Sequence, residues 1–454
     1  QISNDNQSGA FFYTCFHQLL AVIVILFVQA YCDLSLPAYT SDIVNVGIQQ
    51  GGVEEQVPEA ISVKEMERLT LFMSDEDQSQ VMDDYEEDDS SYDQAAYVLK
   101  DSVSADEEEM GDLEDILAGP MMLTAGFESG SDMTQQIEEQ LKANLPPEMV
   151  SDDMDIFDIM EMLPQEQRSA MVEKMEEQLD DMPDSILEQA AVSYVRSAYE
   201  NLGMDMDRIQ TNYLLTTGGK MAALAFLGMA ASIMVGFLAS RIGASTGRDL
   251  RSKVFHKVVG FSNNEFDHFS TASLITRSTN DIQQIQMLIV MLLRIVLYAP
   301  ILAIGGIFQV FQTNVSMSWI IALAVIVIAF VILILFLVAM PKFRILQTLV
   351  DKVNLVMREI LTGLSVIRAF STEKHEEERF DEANRELTRT NLFVNRAMTF
   401  MMPVMMLVMD GVSVLIMWTG AHGINDGQMQ VGDMMAFIQY TMQIIMGFLM
   451  LCML

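Results

Sequence analysis

Arg294 and Asp410 are the residues whose type and surroundings most directly suggest chemistry, because both lie inside long apolar stretches. A charge within a bilayer costs about 2.5 to 3.5 kcal/mol on insertion scales, so each must face protein or water. Arg294 sits a few residues inside its stretch and can snorkel to the near surface. Asp410 lies about 13 residues into its own, beyond reach of either surface. That depth suits a polar group of an internal cavity, or a proton site. The two fall at different depths, so no salt bridge between them is expected. Around Asp410 the sequence reads MTFMMPVMMLVMDGVSVLIMW. A methionine wall that includes Met402 and Met406 can adapt to many apolar shapes. With 38 Met in the chain, compositional bias is the alternative explanation.

Other chemistries are excluded by spacing. No GxxxxGK[ST] phosphate loop occurs: Gly218-Gly219-Lys220 is followed by Met221, and Leu214 stands where the first glycine is needed. The sequence therefore offers no catalytic residue and no nucleotide site of its own. The acidic run DEDQSQVMDDYEEDD lacks the DxDxDG spacing of a calcium loop, so no metal is expected. Cys15 and Cys32 lie 17 residues apart, about 25 Å along one helix, which rules out a disulfide between them.

The elements that position these residues follow from where the charge lies. The 454-residue chain has a net charge of -37 yet is 51% hydrophobic. From Gly51 to Gln210 there are 44 acidic and 8 basic residues, and the rest is nearly neutral. An acidic domain is thus inserted in a hydrophobic protein, and no basic face exists for nucleic acid. Six stretches are long enough to cross a bilayer: Phe11 to Tyr31, Leu214 to Leu238, Leu288 to Phe311, Trp319 to Met340, Ala397 to Ala421 and Met434 to Leu454. Lys and Arg crowd the segments between spans two and three and between spans four and five, whereas Gln312 to Ser318 and His422 to Asp433 have none. Positive-inside logic puts the basic segments in the cytoplasm and the acidic domain outside.

Within the acidic domain, Asp75 to Asp115 is expected to be disordered from self-repulsion. Asp132 to Arg208 reads as helix, with Pro183 in a first turn, Asp181 a possible N-cap and Gly203 closing the helix near Leu202. Small residues at Gly228, Ser232, Gly236, Ser240 and Ala244 form a ridge on span two for close helix approach. Asp433 reads as an N-cap of span six, and Pro300 and Pro403 as kinks.

Several stretches resemble the transmembrane domain of an ATP-binding cassette (ABC) exporter. They are DLSLPAYTSDIVNVGI (Asp33 to Ile48), GMDMDRIQTNYLLTTGGKM (Gly203 to Met221), NNEFDHFSTASLITRSTNDIQQIQ (Asn263 to Gln286), LLRIVLYAPILAIGG in span three, EILTGLSVIRAFSTEKHEEERF (Glu359 to Phe380) and GQMQVGDMMAFIQY (Gly427 to Tyr440). The likeness is nearest to half-transporters of bacterial heterodimeric multidrug or peptide exporters that carry an outer domain between the first two spans. It implies an all-α membrane protein of six spans in the bacterial cytoplasmic membrane, with long cytoplasmic helical extensions and a helical, acidic extracellular insertion. The expected parts are residues 1–48 (span one), 49–210 (acidic domain, 75–118 disordered) and 211–454 (spans two to six with two cytoplasmic hairpins).

The resemblance further implies two coupling helices that seat on nucleotide-binding domains. The first carries Glu265, Phe266, Asp267 and Phe269, and the second Ile367, Arg368 and Phe370. The alternative is that these aromatics pack their own hairpin. Arg294, Met402, Met406 and Asp410 would line the cargo cavity. ATP and Mg would bind in nucleotide-binding domains expected to lie outside this sequence. Expected partners are a second half-transporter, membrane lipid and a drug-like, lipid-like or peptide cargo, with no nucleic acid. The rival expectations are a membrane sensor or immunity protein with an extracellular receptor domain, and an ion-coupled transporter using Asp410.

Overall fold

The computed structural model describes residues 2–88, 92, 94–129, 156–162, 168, 170–172, 174–175, 182–262, 269–313 and 317–452, with side chains from 17 onward. In chain order its elements are α1 (Ile2–Asp42, running on as a π-helical turn Ile43–Gln49), β1 (Ala60–Ser62), α2 (Val63–Thr70), α3 (Asp75–Asp84), β2 (Tyr85–Asp88), β3 (Ala96–Leu99), α4 (Asp101–Ser104) and α5 (Glu107–Ser129). There follow α6 (Ile156–Met162), α7 (Asp184–Asn201), α8 (Met206–Val259), α9 (Thr271–Thr276), α10 (Ile282–Met291) and α11 (Tyr298–Thr313). The last four are α12 (Ser318–Thr362), α13 (Leu364–Ala369), α14 (Glu373–Asn425) and α15 (Val431–Cys452). Among the described residues six helices are long and apolar enough to cross a membrane. The 54 residues of α8 run roughly 80 Å, far more than the hydrocarbon thickness of a bilayer. The chain divides into two compact units.

The first unit comprises Gln1–Leu34, Phe226–Thr419 and Phe437–Leu454. Its packing is set by small residues. A Cβ at Gly305 would lie 2.5 Å from Leu34, one at Gly306 2.7 Å from Ile444, and one at Gly243 2.7 Å from Val290. The ridge on α8 is rotated from its sequence expectation: Gly228, Ala231, Val235, Ala239, Gly243 and Gly247 are buried, whereas Ser240 and Ala244 are exposed. A step of four residues overshoots a helical turn by about 40°, so a strict every-fourth stripe walks off the buried face. Gly243→Val is expected to overpack against α10 and to cost about 1–3 kcal/mol. Thermal unfolding of the purified protein checks it, with the exposed Ala244→Val as the neutral comparison.

A second finding concerns α11. A π-helical turn, Leu292–Val296, precedes Pro300, and Leu297 N–H donates to the Leu292 carbonyl at 3.3 Å. The proline ring would collide with the carbonyl four residues earlier, and the wider turn accommodates it.

The second unit comprises Ser35–Ala225 and Gly420–Ala436. Within the stretch expected to be disordered, 75–118, the described residues instead form α3, β2, β3, α4 and part of α5. A three-stranded antiparallel sheet in the order β1-β3-β2 pairs Ile61 with Tyr97 and Tyr85 with Leu99, so the insertion is not purely helical. Charge density misled because the apolar residues are spaced to face inward. Val81, Tyr85, Leu99, Val103, Leu113 and Leu117 join Ala191 and Val195 of α7 in one core, leaving most carboxylates in water. A second core stacks Phe72 on Phe127, with Phe157 edge-on and the Arg68 guanidinium 4.5 Å from the Phe157 ring. α7 ends as the sequence indicates, with Gly203 at φ 76. Pro183 itself occupies its N-cap position, and Asp181 lies outside the described residues.

Asp433 is not an N-cap. It is the third residue of α15 and reaches back to accept the Gln430 N–H at 3.1 Å, the carboxylate half of a capping box. Its other oxygen accepts from Ser41 at 2.8 Å and Asn45 at 3.1 Å, while the Gly432 N–H donates to Asn45 at 2.7 Å. The end of α1 and the start of α15 are thus joined by a closed polar network.

Candidate functional site

α12 and α14 form a long hairpin whose turn exposes apolar side chains. Thr362 ends α12 because Gly363 breaks the helical run. The six-residue α13 follows, and Ser371 then reverses the chain with a positive φ of 55°. Phe370 is 76% exposed and Val366 57%, an unusual amount of apolar surface for a turn. Arg368 is exposed beside them. Ile367, expected beside Phe370, is half-buried and lines a groove of about 300 Å³ with Met357, Ile360, Leu364 and Phe380. Val366 takes its place outside. Glu359 to Arg379 (2.6 Å) and Lys352 to Glu386 (2.9 Å) zip the hairpin's two arms. Glu386 is therefore paired from across the hairpin.

At the other hairpin, Phe269 is half-buried, stacked 5.9 Å from Phe261 with the Arg277 guanidinium 5.5 Å from its ring. Glu265, Phe266 and Asp267 lie outside the described residues.

On α14 the methionines separate by face. Met405 is buried and Met401 and Met409 pack against the same cluster with Ile328, Ile445 and Leu449. Met402 (48% exposed), Met406 (60%) and Asp410 share the open face, since steps of four keep them within about 80° of one another. Arg294 is also exposed, in the π-helical turn before α11, and forms no ion pair with Asp410.

In the second unit a cleft of about 470 Å³ is lined by Glu54, Glu55, Glu59, Tyr199, Tyr213 and Lys220 among others. Desolvation on its protein side, then Glu59, Glu54 and Glu114, push the Glu55 carboxyl above its ordinary range. Desolvation and Asp115 raise Glu114 likewise, and at Asp84 desolvation outweighs the attraction of Lys100. These carboxyls hold protons in the folded state at a pH where the unfolded chain has lost them. Stability contributed by them is present below the unfolded values and is lost as pH rises through the folded ones. Lowering the pH from 7 towards 5 is therefore expected to raise the unfolding temperature of this unit, followed by hydrogen exchange in its sheet. A falling midpoint would refute it. Among the described residues no cluster of His, Cys, Asp or Glu could hold a metal ion.

One polar cluster has no counterpart in the sequence reading. Tyr298 donates to a carboxylate oxygen of Asp33, and Gln443 donates to the Asp33 backbone carbonyl at 2.9 Å. Residues so far apart in the chain give no local pattern. The one available signal was Pro37, four residues after Asp33.

Comparison with known proteins supplies the frame for this geometry. The family described as the ABC transporter transmembrane region matches residues 190–448. The chain belongs to the ABC transporter transmembrane-region family. An uncharacterized ABC transporter ATP-binding protein of Mycobacterium tuberculosis is 36% identical over 240 residues, 53% of this chain and 41% of the relative. A Bacillus subtilis protein of the same description is 36% identical over 232 residues, 50% and 40% of the two chains. An ATP-dependent lipid A-core flippase of Pseudomonas putida is 24% identical over 211 residues, 46% and 34%. The chain thus spans between about a third and two fifths of the length of these relatives. As an ABC membrane region with six apolar helices, it is a multi-pass membrane protein. The match covers α8 to most of α15 and leaves most of the acidic insertion outside it.

Proposed function

We propose that this chain is the membrane subunit of an ATP-driven exporter working by alternating access. The observation that carries the reading is the α12–α14 hairpin tip, where a short helix exposes Phe370 and Val366 at the end of arms 45 and 53 residues long. Such a knob is suited to a socket on a nucleotide-binding domain, where ATP with Mg would bind. Drawing two such tips together on ATP binding would turn an inward-open cavity outward, and hydrolysis would reset it. Cargo, whether drug-like, lipid-like or peptide, need only differ in affinity between the two states.

In this reading the acidic unit lies outside the cell and a second half-transporter, a different chain, completes the cavity. The open stripe Met402, Met406 and Asp410 belongs to that cavity, with Arg294 at its edge. The acidic unit gates the outer exit or gathers cationic cargo there by electrostatic attraction. The test is transport by the complete transporter in inverted vesicles. Uptake is expected to require ATP and Mg and to persist with a protonophore. Uptake that follows a proton gradient and ignores ATP would replace this reading with ion coupling through Asp410. Removing the acidic unit is expected to slow a cationic probe more than a neutral one, and equal rates would end its steering role.

A further inference from the structure

The Asp33 cluster lies within the first unit and joins three membrane helices. Tyr298 is ten residues into the apolar stretch Leu288 to Phe311, and Gln443 nine residues into Met434 to Leu454. Pro37 within α1 has no N–H, so the carbonyl of Asp33, four residues earlier, loses its helical donor. Gln443 supplies that donor from α15. Its own amide oxygen is then left buried without a hydrogen-bond partner. The Asp33 carboxylate receives the Tyr298 hydroxyl on Oδ2, and Gln29, one turn before Asp33, also bonds that hydroxyl. Among the described residues no Lys, Arg or His forms an ion pair with Asp33.

The cluster therefore presents acceptors in excess of donors midway along the apolar helix His17–Gln49, which runs on past the span expected from sequence, and an unpaired buried polar atom there is costly. Close helix packing fixes it, because Leu34 lies on Gly305 and Ile444 on Gly306, next to the residues concerned. A primary ammonium brings three donors and a charge, enough for the carboxylate and the Gln443 oxygen together.

We propose that Asp33, with Gln443 and Tyr298, is a recognition site for a protonated amine on the transported cargo. This rests on the exporter reading and adds the cargo class to it. Asp33 is the counter-ion, Gln443 supplies a neutral acceptor, and Tyr298 positions the carboxylate.

The test uses the complete transporter in lipid nanodiscs, without nucleotide. Daunorubicin, which carries a primary ammonium, is titrated by fluorescence against N-acetyldaunorubicin, which keeps the chromophore and lacks the charge. The wild type is expected to bind the amine at least about tenfold more tightly, as a charge-assisted hydrogen bond implies. Asp33→Asn preserves side-chain size and an acceptor for Tyr298. It is expected to abolish the preference by weakening the amine alone, while Asp33→Glu, which keeps the charge, retains part of it. Gln443→Met should weaken the amine several-fold and leave the acetylated dye unchanged. No preference in the wild type, binding of neither dye included, overturns the proposal. So does an Asp33→Asn protein that weakens both dyes equally, or neither. ATP-driven efflux of the same dyes is scored separately. Selective binding without efflux sinks the exporter reading and supports the site, and efflux without selective binding does the reverse.

Discussion

Phe370→Asp is expected to reduce cargo-stimulated ATPase and efflux of the complete transporter by at least tenfold, while the chain's own unfolding temperature stays within error. The reasoning begins with exposure. A phenylalanine 76% open to solvent contributes little to the fold that carries it, so replacing it removes no internal packing. Its burial in a partner's socket would be worth about 1.5–3 kcal/mol, or roughly 10- to 100-fold in the docking equilibrium. An aspartate adds the desolvation of a charge to that loss. The comparison is Phe380→Asp, in the groove between the same two arms. That change is expected to lower the unfolding temperature, because it puts a carboxylate against Met357 and Ile360. Normal coupling in a stable Phe370→Asp protein would mean that the tip touches nothing that matters.

How far the sequence could be read depended on the range over which each feature is encoded. The membrane helices are local: runs such as Trp319 to Met340 announce themselves, and each of the six expected spans overlaps one of the six long apolar helices among the described residues. The end of α7 is local as well, since Gly203 takes the left-handed conformation that glycine adopts at little cost. The acidic insertion was misjudged because mean charge hides phase. Tyr85 and Leu99 are buried partners across the sheet although Glu86 and Glu87 stand between them in sequence. Which face of α8 packs could not be settled by small-residue spacing alone, since its burial follows Gly243 and Gly247 and departs from Ser240 and Ala244. At the hairpin tip the exposed Phe370 was legible, and the half-burial of Ile367 was not, because one residue along a helix rotates a side chain by about 100°. The polar groups that join helices were least legible. Asp433 has the look of a simple cap in sequence, yet its partners Ser41 and Asn45 come from the other end of the chain. Nothing in the spacing of Asp33, Tyr298 and Gln443 ties them to one another.

Gly52→Ala is the stability change with the largest expected effect, at least about 3 kcal/mol. Two independent costs meet at this position. Gly52 has φ 86, a left-handed conformation in which a Cβ is penalised by roughly 1–2 kcal/mol. The added Cβ would also lie 2.6 Å from the Gln210 Cα and 2.9 Å from its nitrogen. Those are backbone atoms of α8, and a backbone cannot rotate away as a side-chain tip can. The collision can be relieved only by moving the Gly52 turn off the helix. That would break the Gly52 N–H bond to the Val46 carbonyl at 2.8 Å and disturb the nearby bond from Gln210 to the Gly47 carbonyl at 2.7 Å. Gly111 supplies the contrast, because a Cβ there meets nothing within 4 Å and its position within α5 favours alanine. Gly111→Ala should therefore be neutral or slightly stabilising. Hydrogen exchange in the β1-β3-β2 sheet, compared between the two variants, measures the difference directly. Equal protection would show that the turn at Gly52 has slack the backbone distances deny. A collapse confined to Gly52→Ala would establish that the acidic unit is anchored by this one close approach at the start of α8.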